Sequence, residues 1–317
     1  MSKRVFVVTG GAGFIGSHIA ERLLREGNTV RVVDNLITGK RDNLAVLEAL
    51  KGDLTYHDVS ITDREALRPI FHDAEVVYHE AAIASVQRSV NDPVETHNHT
   101  VTGTFNVFDM ARETGVRRVV YAASAAAYGN SPVMPLVESL PPMPLSPYGA
   151  GKLMGEYYAQ VYDHIYDLET VCLRYFNVFG ARQDPMGDYA SVIPKFVQRL
   201  LAGQPPTIYG TGEQTRDFIA IENVVQANIL AADAPDAHGH VINVATGTSI
   251  SLLQLLERLQ EIVGTDLPAQ FAEARSGDIQ HSSADVTKAR ELLKFAPIIS
   301  LEDGLANAVA WYRAQPV

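Results

Sequence analysis

The sequence predicts an α/β fold: a doubly wound, mostly parallel sheet covered by helices, with a smaller mixed α/β C-terminal region. Short apolar runs alternate with amphipathic stretches as far as residue 176. The first of these runs opens directly into Gly10-Gly11-Ala12-Gly13-Phe14-Ile15-Gly16. After Asn177 the alternation gives way to Gly- and Pro-rich turns with scattered helical patterns.

Residues 5–9 are a continuous apolar run of the kind buried on both faces of a parallel sheet. Residues 17–25 read as an amphipathic helix stopped by Gly27, and residues 29–33 as a strand ending on Asp34. Strand, glycine turn, helix, strand and acid make one Rossmann-type βαβ unit. The glycines fit G-x-G-x-x-G through Gly11, Gly13 and Gly16, or G-x-x-G-x-x-G through Gly10, Gly13 and Gly16. Either reading serves a tight turn, close approach of backbone to a pyrophosphate, and a helix N-terminus aimed at its charge. Asp34 follows Gly16 by 18 residues, close to the ~20 expected of an acid on the adenosine ribose. Its charge repels a 2′-phosphate, so NAD is expected over NADP, with Lys40 and Arg41 nearby as the counter-argument. The bland alternative is a glycine turn and a solvated aspartate that bind nothing.

Further strands at 54–57, 76–79, 117–122 and 169–174 alternate with helices at 93–114 and 148–166. Ligands of such sheets bind at the carboxyl ends of strands. Gly10, Asp34, Asp58, Ala81, Ser124 and Asn177 stand there, so they should converge on one cleft. Beyond them come a helix at 191–201, a strand and helix at 218–232, a strand at 241–244, and helices at 252–262, 287–293 and 301–312. The expected division is 1–176 plus 218–246, returning to the same sheet, as an NAD-binding Rossmann domain. Residues 177–217 and 247–317 make the second domain.

A net charge of −11 argues against nucleic-acid or anionic-membrane partners, so an anionic ligand must be held by local arginines or helix N-termini. The single cysteine, Cys172, excludes an internal disulfide and a multi-cysteine metal site, and its apolar setting reads as a core thiol. With no cleavable signal and no apolar segment near the ~20 residues of a membrane span, a cytoplasmic protein is expected.

In Ser146-Pro147-Tyr148-Gly149-Ala150-Gly151-Lys152, Ser146 suits an N-cap and Pro147 a first helical turn. Tyr148 and Lys152 then lie four apart on one helix face. A phenol beside an ammonium becomes a proton acceptor nearer neutrality, which free tyrosine at about 10 does not.

With Gly10-x-x-Gly13-x-x-Gly16, Asp34, Ser124 and Tyr148-x-x-x-Lys152 in this order, the chain resembles the extended short-chain dehydrogenase/reductase family nearly end to end. The likeness is sharpest in residues 34–40, Tyr128-Gly129, residues 174–180 and residues 210–218. Within the family it looks most like the NAD-dependent UDP-hexose 4-epimerases. Arg182-Gln183-Asp184-Pro185 and Val192-Ile193-Pro194-Lys195 resemble the UDP-N-acetylglucosamine 4-epimerase branch most.

The resemblance implies Tyr148 as base, Lys152 on the nicotinamide ribose and, with the cationic ring, lowering the tyrosine pKa, and Ser124 at the sugar 4-oxygen. For the cofactor it implies Gly10, Gly13, Phe14, Ile15, Gly16, Asp34, Asn35, Thr38, Gly39, Lys40, Asp58, Val59, Ala81, Ala82 and Tyr175, besides Tyr148 and Lys152. For a UDP-sugar it implies Ser85, Val86, Arg88, Ser124, Asn177, Val192, Tyr209, Arg216, Arg275, Asp278 and Ser282. The arginines 216 and 275 would meet the pyrophosphate, Asp278 the ribose, and the small Ser282 would leave room for a 2-acetamido group. No metal is implied. A homodimer through a four-helix bundle is, built on helices 93–114 and 148–166. Tyr157, Tyr158, Val161, Tyr162 and Ile165 recur there at helical spacing, facing either a partner or the chain's own sheet.

Three readings compete. Arg88 could bind a carboxylate, as in a UDP-uronic acid 4-epimerase. A dehydratase or reductase of the same substrate class is a rival, but sister dehydratases and decarboxylases place an acid just after the serine, whereas Ala125-Ala126-Ala127 stand there and Glu138 reads as solvated loop. A non-catalytic NAD-sensing protein could dispense with the Tyr148, Lys152 and Ser124 set. Two residues depart from the family pattern: Thr100 replaces an asparagine, and Glu80 an apolar residue or glutamine. The carboxylate of Glu80 would either compensate the nicotinamide charge or face solvent.

Overall fold

The computed structural model describes residues 3–185, 191–274 and 279–315. Its first half runs β1 (Val5–Thr9), α1 (Phe14–Arg25), β2 (Thr29–Val33), α2 (Arg41–Ala49), β3 (Asp53–His57), α3 (Arg64–Phe71), β4 (Val76–His79), α4 (Val86–Asn91), α5 (Pro93–His97), α6 (Gly103–Thr114), β5 (Arg118–Ser124), α7 (Pro147–Tyr166) and β6 (Glu169–Tyr175). The second runs β7 (Asn177–Phe179), α8 (Val192–Leu201), β8 (Thr207–Tyr209), β9 (Thr215–Arg216), β10 (Phe218–Ala220), α9 (Ile221–Asp233), β11 (His240–Val244), β12 (Ile250–Ser251), α10 (Leu252–Val263), β13 (Gln270–Ala272), α11 (Thr287–Leu293) and α12 (Leu301–Arg313).

Strands β1 to β6 join β11 in a seven-stranded parallel sheet, ordered β3-β2-β1-β4-β5-β6-β11. The chain winds outward from β1 to β3 and crosses back to β4, so the switch point lies between β1 and β4. The central strands β1 and β4 are largely apolar because both faces are covered, whereas the edge strand β3 is polar and has no fully buried residue. Phe6 and Val8 pack with Ile19 and Leu23 of α1 and Val224 of α9. Val7 points the other way, into Phe71 of α3, Phe108 of α6 and Ala159 of α7. A separate core joins Phe196 of α8, Leu255 and Leu259 of α10, and Leu305 and Val309 of α12.

Three details differ from the sequence expectations. Residues 93–114 are not one regular helix, because Asn98–Thr102 form a π turn between α5 and α6. The extra residue in that turn puts His99 in a cavity wall and Thr100 against Gly151 of α7. Of the segment 218–246, β11 returns to the large sheet, whereas β10 pairs with β7, because the chain has already left that sheet after β6. Glu138 is half-buried instead of a fully solvated loop residue. It accepts the Asn243 N–H at 2.8 Å, since the Pro-rich loop folds back onto β11. Cys172 is buried and free.

Candidate active site

A cavity of about 700 Å³ opens at the carboxyl ends of the strands around the switch point. Its wall takes Gly10, Gly13 and Gly16 from the glycine turn, Asp34 after β2, Val59 after β3 and Glu80 to Ser85 after β4. Ala122 and Ala123 of β5, Tyr148 and Lys152 of α7, and Tyr175 of β6 complete it. Gly10 has φ +69°, and a Cβ there would stand 2.7 Å from the Ala81 nitrogen; one on Gly16 would stand 2.3 Å from the Gly10 oxygen. Both positions therefore exclude a side chain. Helix α1 begins at Gly13 with no side-chain cap bond and no acid in its first turn, which leaves its leading N–H groups available to an anion.

Asp34 accepts the Leu36 N–H at 2.8 Å and the Ala12 N–H at 3.0 Å. Burial raises its pKa against the pull of those two bonds, and each oxygen keeps acceptor capacity toward the cavity. Lys40 forms an ion pair with Asp184 at 3.0 Å, tying the loop after β2 to the loop after β7.

Helix α7 is set by local chemistry: the Ser146 hydroxyl caps the Gly149 N–H at 3.1 Å, with Pro147 in the first turn. Its glycines let it press on the sheet. A Cβ on Gly155 would fall 2.3 Å from the Tyr121 hydroxyl, and one on Gly149 would fall 2.9 Å from the Ala126 oxygen. A helical glycine costs about 1 kcal/mol relative to alanine, so this close approach has been kept at a cost in helix stability. It brings Lys152 Nζ within 2.6 Å of the Ala122 carbonyl, to which it donates, and 5.0 Å above the Tyr121 ring.

In this chain the Lys152 ammonium is directed at the Ala122 carbonyl. Burial raises the Tyr148 pKa, a hydrogen bond with Ser124 opposes the rise, and the charge of Glu80 adds to it. Burial lowers Lys152 to about 8 against the attraction of Glu80 and Glu156. The Ser124 hydroxyl also accepts the Ala126 N–H at 3.1 Å, so the turn-capping role and the contact with Tyr148 coexist. Glu80 accepts a 2.9 Å bond from the Tyr175 hydroxyl, which in turn accepts from Asn228 Nδ2 at 2.8 Å. Burial raises Glu80 to about 7, held down by Tyr175 and Lys152.

Among the residues assigned to the cofactor by sequence, all line this cavity except Gly39 and Asp58. Gly39 instead backs Asp34, whose Oδ1 lies 2.6 Å from where its Cβ would be. Of those assigned to the sugar nucleotide, Ser85 and Arg88 line it, whereas Val86, Ser124, Asn177, Val192, Tyr209, Arg216 and Ser282 do not. Val86 and Ser124 belong to α4 and the end of β5, and the others to the second region. Arg275 and Asp278 lie outside the described residues. The Arg88 guanidinium is already paired with both oxygens of Glu95, at 2.7 and 3.0 Å.

Sequence reasoning gave no cofactor role to Arg182, Gln183 and Asp184, or to His99, all of which are in the wall. Their approach is long-range, with no local pattern to announce it. It also missed Asp217, fully buried, which accepts from the N–H groups of Thr246 and Gly247 at 2.9 Å each and so pins the loop after β11. Among the described residues there is no cluster of three or more metal-binding side chains, and no helix long and apolar enough to cross a membrane.

Comparison with known proteins agrees with this geometry. The UDP-glucose 4-epimerase of Mycolicibacterium smegmatis is 39% identical over 309 residues, covering 97% of this chain and 98% of that one. The solved UDP-N-acetylglucosamine 4-epimerase of Methanobrevibacter ruminantium M1, in complex with UDP-N-acetylmuramic acid, superimposes with a TM-score of 0.93 at 39% identity, covering 98% and 99% of the two chains. A UDP-glucuronic acid 4-epimerase mutant from Bacillus cereus, in complex with a fluorinated UDP-glucuronic acid and NAD, gives 0.90 at 30% identity, covering 97% and 98%. The family model described as NAD dependent epimerase/dehydratase matches residues 6–245, and with end-to-end relatives beside it, this chain belongs to that family.

Proposed function

We propose that the protein inverts C4 of a UDP-hexose through a transient 4-keto sugar, using NAD that is regenerated in every turnover. The observation that carries this reading is one cavity shared by Tyr148 and Lys152 of α7, the glycine turn and Asp34. The residues present suit NAD. Gly10 and Gly16 form a cradle that a Cβ would fill, the N-terminus of α1 faces the pyrophosphate, and Asp34 receives the adenosine ribose. The Lys40–Asp184 pair engages the cation best placed to welcome a 2′-phosphate, which favours NAD over NADP.

Bound NAD⁺ supplies the hydride acceptor and returns the same hydride. Burial raises Tyr148; the charge of Lys152 together with that of the cationic nicotinamide ring, aided by the Ser124 hydrogen bond, would bring it back to a phenolate that takes the 4-hydroxyl proton. Lys152, charged below about 8, contributes positive potential to the same wall and holds the nicotinamide ribose. Tyr148 then returns the proton after the ketone has turned its other face. Ala125, Ala126 and Ala127 offer no second acid or base for elimination.

For the sugar we read a neutral hexose, UDP-GlcNAc/UDP-GalNAc together with UDP-Glc/UDP-Gal. The Arg88–Glu95 pair supports it over a uronic acid, because a carboxylate would have to displace Glu95. The small Ser282 supports the acetylated pair. Ser85, Val86, Asn177, Val192, Tyr209, Arg216, Arg275 and Asp278 are assigned to the UDP-sugar on the family pattern. A homodimer is assigned to the apolar face formed by Tyr157, Val161 and Ile165 of α7 with Val94 of α5, which are 44–68% exposed.

Separate incubation with UDP-Glc, UDP-GlcNAc and UDP-glucuronate, followed by NMR of the products, tests the reading. C4 inversion of the neutral sugars without net consumption of NADH is expected, and Tyr148→Phe should abolish nearly all of it while retaining NAD. A 4-keto-6-deoxy product, or stoichiometric NADH use, would replace it with a dehydratase or reductase. Ligand responses untouched by Tyr148→Phe, with no turnover, would mean an NAD sensor.

A further inference from the structure

Glu80 has no part in the scheme above, yet it is one of the most constrained side chains of the cavity. Its backbone N–H continues the ladder to the Thr9 carbonyl at 3.1 Å, directly at the switch point. Its carboxylate terminates a directed chain. Asn228, itself held to the Val224 carbonyl at 2.9 Å, donates to Tyr175, and Tyr175 donates to Glu80. The single proton of Tyr175 has two acceptors in reach, Glu80 and Asn228 Oδ1 at 3.0 Å, and a charged carboxylate is the stronger of the two, so the contact suits the ionised form of Glu80. Lys152, across the same wall, is the cation that acts on it.

We propose that Glu80 is a positioning residue for redox balance: its carboxylate, aimed by Tyr175, favours the oxidised, positively charged state of bound NAD and offsets the opposite push of Lys152. The inference rests on the NAD reading above. In the redox step a hydride with its two electrons leaves C4 of the hexose and the hydroxyl proton goes to Tyr148. The sugar is oxidised to the ketone, and the nicotinamide is reduced and loses its positive charge. An ammonium in the wall favours that loss of charge, and a carboxylate opposes it. A dehydrogenase tolerates an imbalance because its two half-reactions use different substrates. An epimerase must give the hydride back, so neither state can be much lower in energy than the other.

The test is a mediated reductive titration of the holoenzyme, followed by the near-ultraviolet absorbance of the reduced nicotinamide. Glu80→Gln keeps the length and an acceptor for Tyr175 but removes the charge; Glu80→Asp keeps the charge. Glu80→Gln should move the equilibrium toward the reduced cofactor roughly tenfold, about 30 mV for a two-electron couple, while Glu80→Asp stays near the parent. An unchanged midpoint in Glu80→Gln with full NAD occupancy overturns the proposal and leaves the epimerase reading intact. An equal shift in both variants also overturns it, since packing and not charge would then be responsible. A parent protein that takes up no NAD overturns the cofactor reading itself.

Discussion

Lys152 Nζ donates a 2.6 Å hydrogen bond to the Ala122 carbonyl, anchoring α7 to β5 through the side chain that supplies the positive charge of the site. Lys152→Met should therefore lower kcat by roughly 10²–10⁴-fold. The loss should be smaller at high pH, where the Tyr148 phenolate forms without the positive potential that Lys152 adds to the cavity wall. A kcat profile against pH checks both; a variant as active as the parent at neutral pH would remove Lys152 from the chemistry.

Gly155→Ala places a methyl group 2.3 Å from the Tyr121 hydroxyl. The forced separation of α7 from β5 should cost about 1–3 kcal/mol, as overpacking does. Thermal denaturation should show the drop, and adding Tyr121→Phe should not recover it, because the ring carbon Cζ stands 2.4 Å from the same methyl.

The pH dependence of stability follows from the sign of each shift. Glu80 is raised from its ordinary 4.5 to about 7, so its contribution is complete below 4.5 and is lost as pH rises through about 7. Lys152 is lowered from 10.5 to about 8, so its contribution is complete above 10.5 and is lost as pH falls through about 8. Around it, His79 of the same strand is kept neutral by burial, and Tyr148 and Tyr175 stay protonated in this window. NAD-free protein should thus lose on the order of 2 kcal/mol between mildly acidic and neutral pH, and Glu80→Gln should lose less. Denaturant titrations of both proteins across that range decide the point.

Glu95→Gln leaves the Arg88 guanidinium without its counter-charge at the cavity wall. Affinity for UDP-glucuronate should rise roughly tenfold, with KM for UDP-Glc little altered. If both sugars respond alike, Arg88 does not face the sugar.

Ile165→Glu and Tyr157→Glu put charges on the apolar face of α7, where both positions are exposed in the single chain. Sedimentation should show the parent as a dimer and the double variant shifted to monomer, with little change in the unfolding of each chain. A monomeric parent would remove the assembly reading.

Local spacing along the chain dictates the first part of this architecture. A strand, a glycine turn and an acid 18 residues later define the βαβ unit, and a proline, a cap and a four-residue interval place Tyr148 and Lys152 on one helix face. Backbone periodicity and turn chemistry act within a few residues, so a window along the chain contains them. Which groups meet is settled by long-range packing. Glu80 finds Tyr175 from 95 residues away, and Lys152 turns to Ala122, 30 residues earlier, and not to Tyr148. The same holds for β10, whose partner was set by where the chain left the sheet. Burial and charge pairing depend on distances between segments remote in sequence, and these exist only once the helices have closed over the sheet.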